Sequence, residues 1–188
     1  MSGCAHRNQT GFTLLEALVV LSLLGILSAL AAPGYTGMRQ RHQMQSQAEQ
    51  FQASLMLARS EALRRQKRVT VCVKDAADAC AQGGSWALGW VVFVDNNNST
   101  TREPDETVLL LHEALPGFLS MTGNATVRLD VSYGPQGRSQ SRSGAFQAGT
   151  LRLCAKGQTH AWRVVVNAVG KPRLEKFALE ADEACSGP

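Results

Sequence analysis

The sequence predicts an α+β fold in which one long N-terminal helix packs on an antiparallel β-sheet, and three observations lead there. Ala17 to Met38 contains no charged side chain and is dense in Leu, Val, Ile and Ala. Behind it, Met44, Ala48, Phe51, Leu55, Ala58 and Ala62 recur at alternating spacings of four and three, the stripe of an amphipathic helix. From Arg68 onward the period changes to short β-rich runs separated by Gly, Asn, Pro and Ser clusters. A 188-residue chain with 44% apolar and 18% charged residues has enough apolar surface to close one core, which excludes a disordered tail or a Pro-rich filament.

The apolar run comes first. About 20 such residues span a hydrocarbon core as a helix, so a single membrane span is expected. The competing assignment is a cleaved secretory signal, with Arg7 as its basic start and Ala29-Leu30-Ala31 as its cleavage site. The run is longer than the ~7–15 residues of a signal core. It also carries Glu16 near its start. A carboxylate in lipid costs roughly 2.5–3.5 kcal/mol and needs a partner, a cost from which a signal peptide gains nothing.

Gly11-Phe12-Thr13-Leu14-Leu15-Glu16, behind a short polar leader and ahead of the apolar helix, resembles the processing site of type IV prepilins and pseudopilins. The resemblance implies that a prepilin peptidase cuts after Gly11 and N-methylates Phe12. It also implies that Glu16 pairs with the amino terminus of a neighbouring subunit during assembly, which would supply the partner that lipid burial demands. Pro33-Gly34 falls where family members carry a helix-weakening proline. The implied organisation is a leader at 1–11, a transmembrane and assembly helix at 12–38, its amphipathic continuation at 39–68, and a β-rich periplasmic domain at 69–188.

A helix from Phe12 to about Lys67 would be roughly 80 Å long at 1.5 Å per residue. Its apolar stripe is too short in heptads for a coiled-coil dimer and suits a sheet instead. Candidate strands are Val69–Val73, Trp86–Val94, Thr107–His112, Ala125–Tyr133, Thr150–Ala155 and Trp162–Val169. Trp86, Trp90 and Trp162 alternate into these strands and read as core rather than as a base-stacking platform.

The soluble part resembles the GspH/FimT minor pseudopilins. The similar segments are Leu57-Ala58-Arg59-Ser60-Glu61-Ala62, Arg68-Val69-Thr70-Val71-Cys72, Gly89-Trp90-Val91-Val92-Phe93-Val94-Asp95, and Val164 to Arg173. The resemblance implies a type IV pilin-like fold. It implies either a FimT-like minor pilin that binds double-stranded DNA for uptake in natural transformation, or an H-type subunit of type II secretion or of pilus priming without DNA binding. The DNA-binding group carries Gly-Arg-x-Arg, whereas this chain has Gly170-Lys171-Pro172-Arg173. Lysine keeps the charge and loses the planar fork.

With Cys4 in the leader, Cys72, Cys80, Cys154 and Cys185 remain, an even number suited to disulfides in an oxidising periplasm. Proximity pairs Cys72 with Cys80 and Cys154 with Cys185, although three connectivities are open. No Cys-x-x-Cys or Cys-x-x-His spacing suggests zinc.

Charge is segregated along the chain. Residues 69–127 hold two basic and seven acidic side chains, and 128–176 hold nine basic and two acidic. A local basic excess is the footprint of a surface that meets phosphates. It could equally face the acidic segment of a neighbouring subunit. Lys171 and Arg173 are expected at the centre of a DNA surface, with Gly170 shaping the turn and Arg138, Arg142 and Lys176 adding contacts.

No enzyme is indicated. His42, His112 and His160 stand apart from any nucleophile motif, and no phosphate-cradling glycine loop or zinc signature is present. Asp95, Asn97, Ser99 and Glu106 fit part of a calcium-loop template, but Thr100 stands where glycine is needed, so a plain connecting loop is expected. The expectation is a structural subunit with no cofactor, inserted in the inner membrane and then built into a filament or its tip.

Overall fold

The computed structural model describes residues 13–180 and Cys185, with the side chains of 29–34 left aside. Helix α1 (Leu14–Arg65) is 52 residues long. Thr13 precedes it, and its Oγ1 accepts the backbone N–H of Glu16 at 3.2 Å. That is the N-cap half of a Thr-x-x-Glu capping box, so Glu16 has a local helix-starting context as well as its expected assembly role. At the far end Gln66 takes the left-handed conformation with φ 55°. Its Nε2 donates to the Leu63 carbonyl at 2.8 Å, satisfying one of the last free acceptors of the helix.

The chain divides into two compact units between Arg39 and Gln40. In the first, Leu14, Leu18, Leu21 and Leu24 are all exposed. Among the described residues no helix is long and apolar enough to cross a membrane. The span expected over 12–38 is therefore not established by the structure, and Gly11 and Phe12 lie outside the described residues.

The second unit, Gln40 onward, holds the core. Its strands are β1 (Arg68–Val73), β2 (Trp90–Asp95), β3 (Val108–His112), β4 (Leu119–Gly123), β5 (Asp130–Tyr133), β6 (Gly149–Ala155), β7 (His160–Val166) and β8 (Arg173–Ala178). They form two four-stranded sheets ordered β3-β2-β1-β5 and β4-β6-β7-β8. All the pairings are antiparallel. The antiparallel sheet expected behind the helix is present, divided into two four-stranded sheets.

Two strands are absent from the sequence-based expectation. β4 is short and closes on Gly123, and β8 reads Arg-Leu-Glu-Lys-Phe-Ala. β8 is an edge strand, and charged side chains that discourage further pairing also disguise its β pattern. Two expected strands are shorter than predicted. Trp86–Leu88 forms a 3-10 turn capped by Ser85 Oγ on Ala87 N, and β2 starts only at Trp90. Ala125–Val127 is likewise a 3-10 turn, so only Asp130–Tyr133 remains as strand.

All six stripe residues of α1, from Met44 to Ala62, are buried in the core. Phe51 lies edge-on to both Trp86 and Trp90, with ring centroids 5.0 Å apart in each pair. Indole N–H groups buried this way need acceptors. Trp86 Nε1 donates to the Val127 carbonyl and Trp90 Nε1 to Ser54 Oγ, each at 3.0 Å. His112 stacks on Trp90 and uses Nε2 on Gln50 Oε1, so its role is structural.

The expected disulfides Cys72–Cys80 and Cys154–Cys185 are both formed. In the 95–106 loop the acidic side chains cap their own backbone. Asp95 accepts the N–H groups of Ser99 and Thr100, and Glu106 accepts those of Asn96 and Glu103. Among the described residues no cluster of three His, Cys, Asp or Glu side chains could hold a metal ion.

Candidate nucleic-acid interface

The turn that joins β7 to β8 is built by Asn167. Its carbonyl accepts the N–H of Gly170 at 2.8 Å, and its Oδ1 accepts the N–H of Lys171 at 3.2 Å. Gly170 has φ 82°, a left-handed value that glycine adopts without strain. A Cβ at this position would also strike the Gly137 carbonyl oxygen and crowd Ser139 N and Arg138 Cα. Glycine is thus required twice, for the turn and for close approach to a second segment.

That second segment is the 137–139 strip. Ser139 Oγ reaches the Asn167 carbonyl at 2.8 Å and also the Gln147 carbonyl, tying the turn to a small hairpin. The hairpin is closed by the Gln140–Phe146 bridge and turns at Ser141, whose carbonyl accepts the Gly144 N–H. Helix α1 braces both pieces. Arg59 Nε donates to the Gly137 carbonyl at 2.9 Å, and Gln52 Nε2 donates to the Pro172 carbonyl at 3.3 Å.

The outcome is a corner where Arg138, Lys171 and Arg173 are all exposed while Gly170 and Pro172 are buried beneath them. The long separation in sequence between Arg138 and Lys171 is closed by the Gly170 contact. Arg142 is exposed at the tip of the hairpin, within the turn after Ser141. Lys176 is elsewhere. It lies three positions after Arg173 on β8, and side chains alternate along a strand, so it projects from the opposite face. Its assignment to the same DNA surface is corrected on that ground.

Arg173 shares Glu175 with Arg163, at 3.5 Å and 2.8 Å respectively. One carboxylate against two guanidinium groups leaves the face positive. Arg163 and Arg152 lie directly opposite each other across β7 and β6, and both approach the ring of Phe177 at 5.4 Å. Cations over an aromatic face are attracted by its quadrupole, which offsets part of their mutual repulsion.

Sequence reasoning missed Asn167 and Ser139, which hold the corner together; the Asn-x-x-Gly spacing was the available signal for the first. It also missed Phe146 and Val169, which are 73% and 60% exposed. With Arg138 they line a shallow groove of about 340 Å³ beside the turn. Large exposed apolar side chains beside cations provide stacking and wedging surface. The groups assembled here can neutralise phosphates and pack on flat rings.

The sequence model of the type II transport protein GspH matches residues 47–170, and that of the prokaryotic N-terminal methylation motif matches residues 6–32. The pilin-like protein PilA1 of Thermus thermophilus is 29% identical over 171 residues, covering 89% of this chain and 99% of that protein. Among solved structures, the type IV minor pilin FimU of Pseudomonas aeruginosa is similar with a TM-score of 0.58 and 19% identity, over 79% of this chain and 99% of that one. The minor pseudopilin EpsH of the Vibrio cholerae type II secretion system is similar with a TM-score of 0.51 and 13% identity, over 71% and 96%. These two likenesses bear on the fold, the long helix packed on antiparallel sheets. The chain belongs to the GspH family, carries the N-terminal methylation motif, and is a pilin or pseudopilin of the type IV or type II kind.

Proposed function

We propose that this subunit is a FimT-like minor pilin that binds double-stranded DNA without sequence preference during uptake in natural transformation. The observation that supports this most is the packing of Gly170 on the 137–139 backbone, which gathers Arg138, Lys171 and Arg173 at one exposed corner. Cations held outward on a stiff turn neutralise phosphates and fix orientation without reading bases. The subunit is inserted in the inner membrane through residues 12–38 with its C-terminal domain in the periplasm. It is then cut after Gly11, methylated on Phe12 and built into a filament or its tip, with Glu16 paired to a neighbouring amino terminus. Other pilin subunits, the prepilin peptidase and the membrane are its remaining partners.

The test is a titration with duplex DNA at several salt concentrations, beside the Lys171→Gln/Arg173→Gln variant. Each phosphate contact adds about 0.9 to the slope of log affinity against log salt, so the double variant flattens it by about 1.8. Equal binding by both proteins removes this site. Absence of binding by either at low salt leaves a second reading, which the match to the type II transport protein favours: an H-type pseudopilin or a pilus-priming subunit that meets only other subunits.

A further inference from the structure

We infer that the pocket between the start of the domain's helix and β7–β8 holds the phosphodiester headgroup of an anionic phospholipid, an inference that rests on the membrane-anchored reading above. The pocket has a volume of about 160 Å³ and is lined by Arg41, Gln158, Thr159, His160, Trp162 and Lys176. A water occupies ~30 Å³ of liquid, so several water-sized groups fit, as a phosphate with its oxygens requires. Among the described residues no Asp or Glu side chain lines it.

The cations are positioned by the fold. Arg41 Nε donates to Gln158 Oε1 at 3.0 Å, and Gln158 Nε2 donates to Gln40 Oε1 at 3.3 Å, which holds the guanidinium against the β6–β7 turn. Lys176 pairs with Trp162 across β8 and β7 and so enters from the sheet side. It lies outside the DNA corner formed by Arg138, Lys171 and Arg173. Thr159 Oγ1 and His160 Nδ1 are 3.0 Å apart, a contact that orients the imidazole ring.

The lipid source follows from chain position. Arg41 comes three residues after Met38, the last residue of the charge-free run. If that run spans the bilayer, Arg41 emerges at headgroup level, where Arg, Lys and Trp are the side chains that favour the interface. A phosphodiester offers two unesterified oxygens, one for each of the two cations.

Trp86 and Trp90 are fully buried and Trp162 is only partly so, which makes its fluorescence a reporter of the pocket. The full-length chain in a neutral maltoside detergent is titrated with dihexanoyl phosphatidylglycerol, dihexanoyl phosphatidylcholine or inorganic phosphate, with Trp162→Phe identifying the signal. The expected result is a saturable change with phosphatidylglycerol at a concentration at least tenfold below that needed for the other two. The Arg41→Gln/Lys176→Gln variant raises it at least tenfold, whereas the charge-preserving Arg41→Lys/Lys176→Arg variant retains binding within about threefold. An unchanged response in the Gln variant overturns the site. Equal response to inorganic phosphate or phosphatidylcholine overturns the lipid assignment, and displacement of the lipid by duplex DNA assigns the pocket to DNA instead. Carbonate extraction of membranes tests the anchor separately. A chain retained in the pellet that shows no pocket signal refutes only the headgroup site, and a chain released by carbonate refutes the anchor.

Discussion

Phe51 of the helix stands perpendicular to the ring of Trp90, with an interplanar angle of 90° and centroids 5.0 Å apart. The contact joins α1 to the centre of the first sheet, and both residues are wholly buried. Removing a buried aromatic ring deletes its transfer energy and leaves a cavity, so Phe51→Ala should cost about 3–5 kcal/mol. Chemical denaturation of the domain checks this through its midpoint. Ser54→Ala, which leaves the Trp90 indole N–H without its acceptor, should cost about 1–3 kcal/mol.

Gly170→Ala should destabilise the domain and weaken DNA binding together, because the new Cβ meets the Gly137 carbonyl at a left-handed φ of 82°. A positive-φ glycine replaced by alanine typically costs more than about 1 kcal/mol. The readouts are thermal unfolding and the duplex titration. A variant that melts earlier but binds DNA as well as the parent would separate the turn from the interface.

The native domain should contain no reactive thiol among Cys72, Cys80, Cys154 and Cys185, which thiol labelling before and after reduction can establish. The sequence separations are 8 and 31. In the chain-entropy account the longer loop contributes about 3–4 kcal/mol and the shorter about 2–3 kcal/mol. Cys154→Ser/Cys185→Ser should therefore lower the unfolding midpoint more than Cys72→Ser/Cys80→Ser does.

Glu61 gives a pH dependence. Hydrogen bonds from Arg64 and then Arg65 hold its carboxyl at about 2, below the ordinary 4.5. A depressed folded-state value means that the contribution is fully present above the ordinary value and is lost as pH falls from 4.5 toward 2. Stability measured from pH 6 to pH 2 should decline less in Glu61→Gln than in the parent, and salt should shrink the difference because Arg64 is exposed.

Processing is checked by intact mass and N-terminal sequencing of membrane-extracted protein, which should begin at methylated Phe12. Glu16→Ala should spare insertion and impair filament incorporation. Because Thr13 caps the Glu16 N–H through its hydroxyl, Glu16→Gln retains a residue suited to the capping box. Incorporation that fails in both variants assigns the defect to lost charge, and recovery in Gln assigns it to the helix start.

The amphipathic stripe was legible because burial on a helix face leaves a local period that needs no knowledge of the partner, and every residue from Met44 to Ala62 in that stripe is buried. β1, β3, β6 and β7 were legible for the matching reason, their β-branched and apolar runs between turn residues. β8 was not. Its pairing with β7 is a backbone matter, and its exposed face carries charge. The extent of β2 was hidden too, since whether Trp86 extends a strand or opens a 3-10 turn depends on Ser85 capping and on the acceptor that Val127 supplies from elsewhere.

Sequence by itself determined the family motif at the N-terminus, the helix-then-sheet order and the basic Gly170–Arg173 turn, because each is written in residues close together or in a local period, whereas it left three cysteine connectivities open and the fold chose Cys72–Cys80 and Cys154–Cys185. The tertiary structure alone decided which cations share a surface. It brought Arg138 beside Gly170 through a contact that only a missing Cβ allows, and it sent Lys176 to the other face of β8. Charge totals along a chain add regardless of direction, whereas the two-residue alternation of a strand and the closing of long loops set where each charge points.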